Sequence, residues 1–117
     1  MNNCIFCNIS NGAIPTKTAY ESAEVIAFAD IHPIAPVHFL IVPRQHIMSM
    51  NDIEAKHAPI IAEMFAAAVQ IAKQCHIADD GYKLLIRTGR HGGQEVPHIH
   101  LHMIGGAPLS ENIHPIT

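Results

Sequence analysis

The segment His98-Ile99-His100-Leu101-His102-Met103-Ile104 constrains this chain more than any other. Strict alternation of polar and apolar residues is the signature of a strand, because successive side chains leave a strand on opposite faces. Ile99, Leu101 and Met103 are therefore expected in the core. His98, His100 and His102 are expected as a row on the other face, neighbours roughly 6.5–7 Å apart. Three imidazoles on one face can act as nucleophile, proton carrier and charge stabiliser. Three readings compete: a solvent-facing polar stripe, a metal site in which the strand bends to bring in the third ring, and nucleophilic chemistry on phosphorus. Gly92-Gly93-Gln94 precedes the row. Alone it reads as a hairpin turn. Beside three histidines its glycines can turn backbone amides toward an anion, which favours phosphorus.

Around this strand the pattern is strands, one long helix, then strands. Residues 1–10 form a short amphipathic turn carrying Ile5, Phe6 and Ile9, and Asn11-Gly12 and Pro15 close it as a loop. Glu24 to Asp30 is predicted as a strand with Ile26 and Phe28 on one face and Val25, Ala27 and Ala29 on the other. Phe39 to Val42 is predicted as a second strand, stopped by Pro43. Asn51 and Asp52 can cap a helical stretch with Pro59 near its first turns and an end near Cys75. Ile61, Met64, Phe65, Ala68, Ile71, Ala72 and Cys75 share one side of it at helical spacing. Tyr82 to Arg87 is a third strand, Gly89 to Gln94 a glycine-rich loop, and His98 to Ile104 the last strand, ended by Gly105-Gly106. This order predicts an α+β fold with an antiparallel sheet, in a single domain over 1–117.

Charge and composition exclude some partners. A net charge of −3 offers no broad basic field for a nucleic-acid polymer or an anionic membrane. The longest apolar run, Met64 to Val69, is far too short to span a bilayer. No basic-then-apolar leader precedes Cys4, so a cytoplasmic location is expected. Cys4-Ile-Phe-Cys7 places two thiols on one helical turn, a spacing that suits a soft tetrahedral metal but supplies two ligands only. Cys75 is expected as a small buried hydrophobe.

Together these segments resemble the histidine triad family, and within it the nucleotide-binding phosphoramidase branch. The resemblance rests on His98 to Ile104 and on Cys4-Ile-Phe-Cys7, Ala27 to Ile31, Ala35-Pro36, His38-Phe39, Val42-Pro43, His46, Gly92 to Val96 and Gly105-Gly106. It implies a meandering antiparallel sheet with one long helix and a short N-terminal helix, and a homodimer whose sheets join edge to edge. It implies binding of a purine nucleoside monophosphate and hydrolysis of AMP–amine phosphoramidates, with no cofactor needed for catalysis. By the resemblance, His100 is the nucleophile that forms a nucleotidyl-histidine, His102 contacts phosphate oxygens, and His98 supports the row. Gly93, Gln94 and Glu95 lie beside the phosphate, Asp30 holds the ribose hydroxyls, and Ile5, Phe6, Ile9 and Phe28 line the base pocket. Relatives with both cysteines also imply a structural zinc held by Cys4, Cys7, His46 and His98.

Arg87 stands where the branch usually carries Asn, Glu95 replaces a common Ser, and Ala107 replaces a common Arg. An added cation at 87 can strengthen phosphate or carboxylate recognition or point outward. His32, His38, His57, His76, His91 and His114 are read as loop or surface positions. Three other functions compete: a nucleotide-binding scaffold with vestigial catalysis, a dinucleoside polyphosphate hydrolase, and a metalloenzyme using the histidine row as ligands.

Overall fold

A computed structural model describes residues 3–116. One five-stranded antiparallel sheet organises them, in the order β1-β2-β3-β5-β4. The strands are β1 (Thr18–Glu21), β2 (Val25–Ala29), β3 (Val37–Pro43), β4 (Tyr82–Ile86) and β5 (Leu101–Gly105). The helices are α1 (Ile5–Ser10), α2 (Ala58–Gln74) and the single turn α3 (Gly89–Gly92). The chain meanders through β1, β2 and β3, crosses by α2 to the far edge at β4, and returns as β5 between β3 and β4. The predicted α+β class and antiparallel sheet are observed.

The faces are those the alternation predicts. Val25, Ala27, Ile41, Leu101 and Met103 pack with Met64, Ala67, Ala68, Ile71 and Ala72 of α2. Ile26, Phe28, Leu40 and Val42 form the opposite face and pack with Cys4, Phe6 and Cys7 of the α1 region. The sheet is thus covered by a helix on each side, and both the apolar and the histidine residues of 98–101 are buried. The histidine row looks into a second, smaller core rather than into open solvent.

Several predicted boundaries move. The last strand is assigned from Leu101, not His98, although Ile99 N–H still donates to the Ile47 carbonyl at 2.7 Å. β1 was not predicted, since Thr-Ala-Tyr-Glu carries only a weak alternation. Asn51 and Asp52 do not cap the long helix. They lie in a 3-10 turn, Met50–Asp52, capped by Ser49, whose hydroxyl accepts from Asn51 N–H at 3.1 Å. A second 3-10 turn, Ala55–His57, leads into α2 with Pro59 in its first turn, where the missing N–H costs no hydrogen bond. His57, expected at the surface, is buried, and its Nδ1 accepts from Glu54 N–H at 2.9 Å. The buried stripe of α2 is also rotated relative to the prediction: Ala67 is inside and Phe65 is 40% exposed. Among the described residues no helix is long and apolar enough to cross a membrane.

Candidate active site

Cross-strand register assembles the site. β3 pairs with β5 so that Leu40 stands opposite His102 and His38 opposite Ile104. Directly opposed residues share a face, so His38, Leu40, His100 and His102 project together. α1 closes this face: the Phe6 ring lies 5.0 Å from His100 and 5.5 Å from Phe28, centroid to centroid. The segment 89–97 closes one end. Gly93 sits at φ 80°, where a side chain would strain the backbone.

The hydrogen bonds fix what each ring presents. Nδ1 of His100 donates to the His98 carbonyl at 2.8 Å, which leaves Nε2 as the nitrogen with a lone pair. His38 works the other way. Its Nδ1 accepts from Ile34 N–H at 3.2 Å, so its proton is on Nε2. That N–H faces His102 Nδ1 at 3.0 Å and the Asp30 carboxylate at 3.3 Å. His102 Nδ1 is then an acceptor, and its proton resides on Nε2. His102 Nε2 is buried and has no hydrogen-bond partner among the described residues. A buried donor of this kind ordinarily meets a ligand or water. The rings of His100 and His102 lie 4.9 Å apart. One offers a lone pair and the other an N–H.

Burial keeps these rings uncharged. It pushes His38 and His100 below the ordinary imidazole range, opposed by the Asp30 charge at His38 and by the His98 carbonyl at His100. His102 is pushed down to about 4, first by burial and then by His100, His38 and Arg87. Neutral imidazole is the nucleophilic form.

His98 faces another way. It is fully buried, and its Nε2 donates to the Pro43 carbonyl at 2.8 Å. Its Nδ1 lies 3.3 Å from Cys4 Sγ and 3.5 Å from Cys7 Sγ, while His46 Nδ1 lies 3.2 Å from Cys7 Sγ. All four donor atoms lie within 4.8 Å of one another. Zinc bonds of about 2.3 Å to sulfur and 2.0–2.1 Å to nitrogen at tetrahedral angles separate S and N by about 3.5 Å. The observed spacings fit. So does the outer contact, because the Pro43 carbonyl orients His98 with Nδ1 toward the thiols, and Cys7 N–H donates to Cys4 Sγ at 3.4 Å.

The other predicted residues are placed as follows. Phe6 and Phe28 are buried, Ile9 is half-buried against them, and Ile5 is exposed. Asp30 accepts from His32 N–H at 2.9 Å besides facing His38. The Gln94 amide is used internally: it accepts from Gly89 N–H and donates to the Met48 and Val96 carbonyls, which ties the 89–96 turn to the segment after β3. Its side chain braces the loop, and the main-chain N–H groups of Gly93 and Gln94 also donate within it, to the Arg90 and Gly89 carbonyls at 3.1 and 3.0 Å, which leaves the Glu95 N–H as what this turn can offer a ligand. Glu95 is exposed, and its charge reaches His100. A recess of about 550 Å³ has Gly93, Gln94 and Glu95 in its wall. Another, of about 370 Å³, lies beyond Ile9, and neither recess has a residue of the histidine row in its wall. His38 was missed as a site residue. Its signal was available, since it alternates with Phe39 on a buried strand, but its partner lies 64 residues away.

Residues 3–113 match the family model described as "Scavenger mRNA decapping enzyme C-term binding". The chain is similar to the purine nucleoside phosphoramidase of Escherichia coli K12, with 48% identity over 105 residues that cover 90% of this chain and 88% of that protein. It is 44% identical to protein HitA of Neisseria gonorrhoeae over 90% of this chain and 97% of that protein. Among solved structures it resembles a HIT family hydrolase from Legionella pneumophila Philadelphia 1, with a TM-score of 0.91, 38% identity and coverage of 94% and 98% of the two chains. A HIT family hydrolase from Clostridium thermocellum gives a TM-score of 0.92 at 38% identity, covering 97% and 99%.

Proposed function

The chain belongs to the histidine triad (HIT) family, and from that premise we propose that it hydrolyses purine nucleoside phosphoramidates through a nucleotidyl-histidine. The observation that carries the reading is the pair of opposite tautomers: a lone pair on His100 Nε2 beside an unpartnered N–H on His102 Nε2. The name of the Escherichia coli relative supports the same chemistry.

In the first step His100 Nε2 attacks phosphorus. The P–N bond to the amine breaks, and the amine nitrogen keeps the electron pair and takes up a proton from water. Charge on the phosphoryl oxygens is met by the His102 N–H and by the main-chain N–H of Glu95, since those of Gly93 and Gln94 already donate to the Arg90 and Gly89 carbonyls; both donors are preorganised and need no rearrangement. The His98 carbonyl accepts from Nδ1 and so offsets the positive charge that grows on the ring during attack. In the second step water attacks phosphorus and gives up a proton to solvent, the P–N bond to His100 breaks, and the ring recovers its lone pair. The nucleoside side is supplied by Phe6, Ile9 and Phe28 for the base, with Ile5 at the exposed rim, and by Asp30 for the ribose. Replacing His100 by Ala is expected to abolish hydrolysis of an AMP–amine substrate while AMP still binds. Normal turnover by that variant would contradict the assignment, and AMP binding without turnover by the unaltered protein would favour a scaffold instead.

We also propose a structural zinc and a homodimer. Cys4, Cys7, His46 and His98 would hold the ion, which supplies a cross-link between the α1 region and the residues before β5 and takes no part in the reaction. The dimer reading is supported by β4, an edge strand paired on one side only, and by the exposed apolar Phe65 and Val69 of α2.

A further inference from the structure

Among the described residues Arg87 is the one Lys or Arg whose charge acts on His38, His100 and His102, and its position follows from strand register. Leu85 stands opposite His102 and Ile86 opposite Leu101. One residue on, Arg87 returns to the histidine face, level with His100. Its side chain lies along the Gly93 turn: a Cβ built on Gly93 would meet Arg87 Nη1 at 3.6 Å and Cδ at 3.7 Å. Arg87 is exposed, and among the described residues it has no hydrogen bond and no carboxylate within 4.0 Å. Its charge nevertheless reaches His38, His100 and His102, lowering the pKa of each.

The sheet order separates the substrate's parts. Phe28 and Asp30 lie on and just beyond β2, the reacting rings on and just before β5, and Arg87 just past β4 on the opposite flank. A nucleoside over β2 and β3 leaves the flank at β4 for what departs from phosphorus. In-line displacement sends that group away from His100 toward the open mouth, where Arg87 is exposed. The phosphoryl oxygens already have the buried His102 N–H, whereas among the described residues Arg87 is the one Lys or Arg whose charge acts on His100. A guanidinium presents a planar fork of donors that matches a carboxylate.

Resting on the phosphoramidase reading, we propose that Arg87 is a specificity-determining residue that receives a carboxylate carried by the departing amine, so that N-linked conjugates of nucleoside monophosphates with amino acids are favoured over conjugates with neutral amines. The departing nitrogen takes one proton from water as the P–N bond breaks, giving the amine, and a second from solvent to become an ammonium, which Glu95, whose charge also reaches His100, complements.

The test compares AMP joined through the amine of glycine with AMP joined to glycinamide, which lacks the charge. The unaltered protein should prefer the glycine conjugate in kcat/KM. Arg87→Gln should lower the ratio of the two values by about tenfold or more, as loss of a hydrogen bond between charged groups does, and Arg87→Lys should restore part of it. A ratio unchanged in Arg87→Gln, or the two substrates falling together, overturns the role of Arg87 alone. Turnover of neither conjugate by the unaltered protein overturns the phosphoramidase reading and this inference with it.

Discussion

His100 and His102 are the same side chain two positions apart, and their neighbours make them chemical opposites. A backbone carbonyl takes the proton of one at Nδ1, and a second imidazole supplies a proton to Nδ1 of the other. The spacing in the sequence makes the row legible and makes a carbonyl partner for His100 a natural expectation. The partner of His102 is not legible, because His38 reaches it only through the pairing of β3 with β5. His38 acts here by fixing a tautomer, so it is a positioning residue. His38→Phe should lower kcat by about 10²–10³, the cost of losing one oriented donor to developing charge, with a smaller change in KM. His38→Gln, which can still donate at that position, should recover part of the loss. Steady-state kinetics on an AMP–amine substrate check this, and equal loss in both variants would point to packing instead.

At the level of elements, periodicity revealed which strand faces are inside but not what covers them. Alternation in β2 and β5 correctly separated the two faces. β1 escaped because it is short and half-buried along three of its four residues. The α2 stripe was misread at Phe65, since an apolar residue next to a buried face is indistinguishable by spacing from one inside it. The exposure of Phe65 acquires a meaning if a second copy covers it. Phe65→Glu is expected to shift the protein from dimer to monomer in light scattering with its helix content retained, and a dimer undisturbed by this change would place the interface elsewhere. The other cover, α1, is only six residues long and too short to hold itself as a helix. Its Cys4 and Cys7 meet His46 and His98, from two other parts of the chain. Purified protein should therefore carry one zinc per chain by metal analysis, and Cys7→Ser should lose the zinc and melt at lower temperature. Unaltered protein purified without zinc, or a Cys7→Ser variant that melts at the same temperature as the zinc-loaded protein, would refute the cross-link.

At the scale of the whole molecule, neutral rings are built into the space between β3, β5 and α1, and this sets an acid limit on stability. His102 is held at about 4 first by burial, with His100, His38 and Arg87 also opposing its charge and Asp30 favouring it, while in the unfolded chain it titrates near 6.5. Between those values the unfolded state binds more protons, so stability falls as pH falls from about 6.5 toward 4 and gains nothing from this group above 6.5. The burial of His38 adds in the same direction. A thermal midpoint followed from pH 7.5 to 4.5 should drop through this window, and less steeply in His102→Gln. A flat profile would mean that the rings gain protons without cost. In the proposed reaction all of this serves one step, the transfer of a nucleotidyl group to His100. Acid-stopped turnover of an AMP–amine substrate, followed by digestion and mass spectrometry, measures that step directly. The expected result is an adenylyl group on Nε2 of His100, absent from His100→Ala. Rapid turnover with no adduct on His100, or an adduct on a different residue, would contradict it.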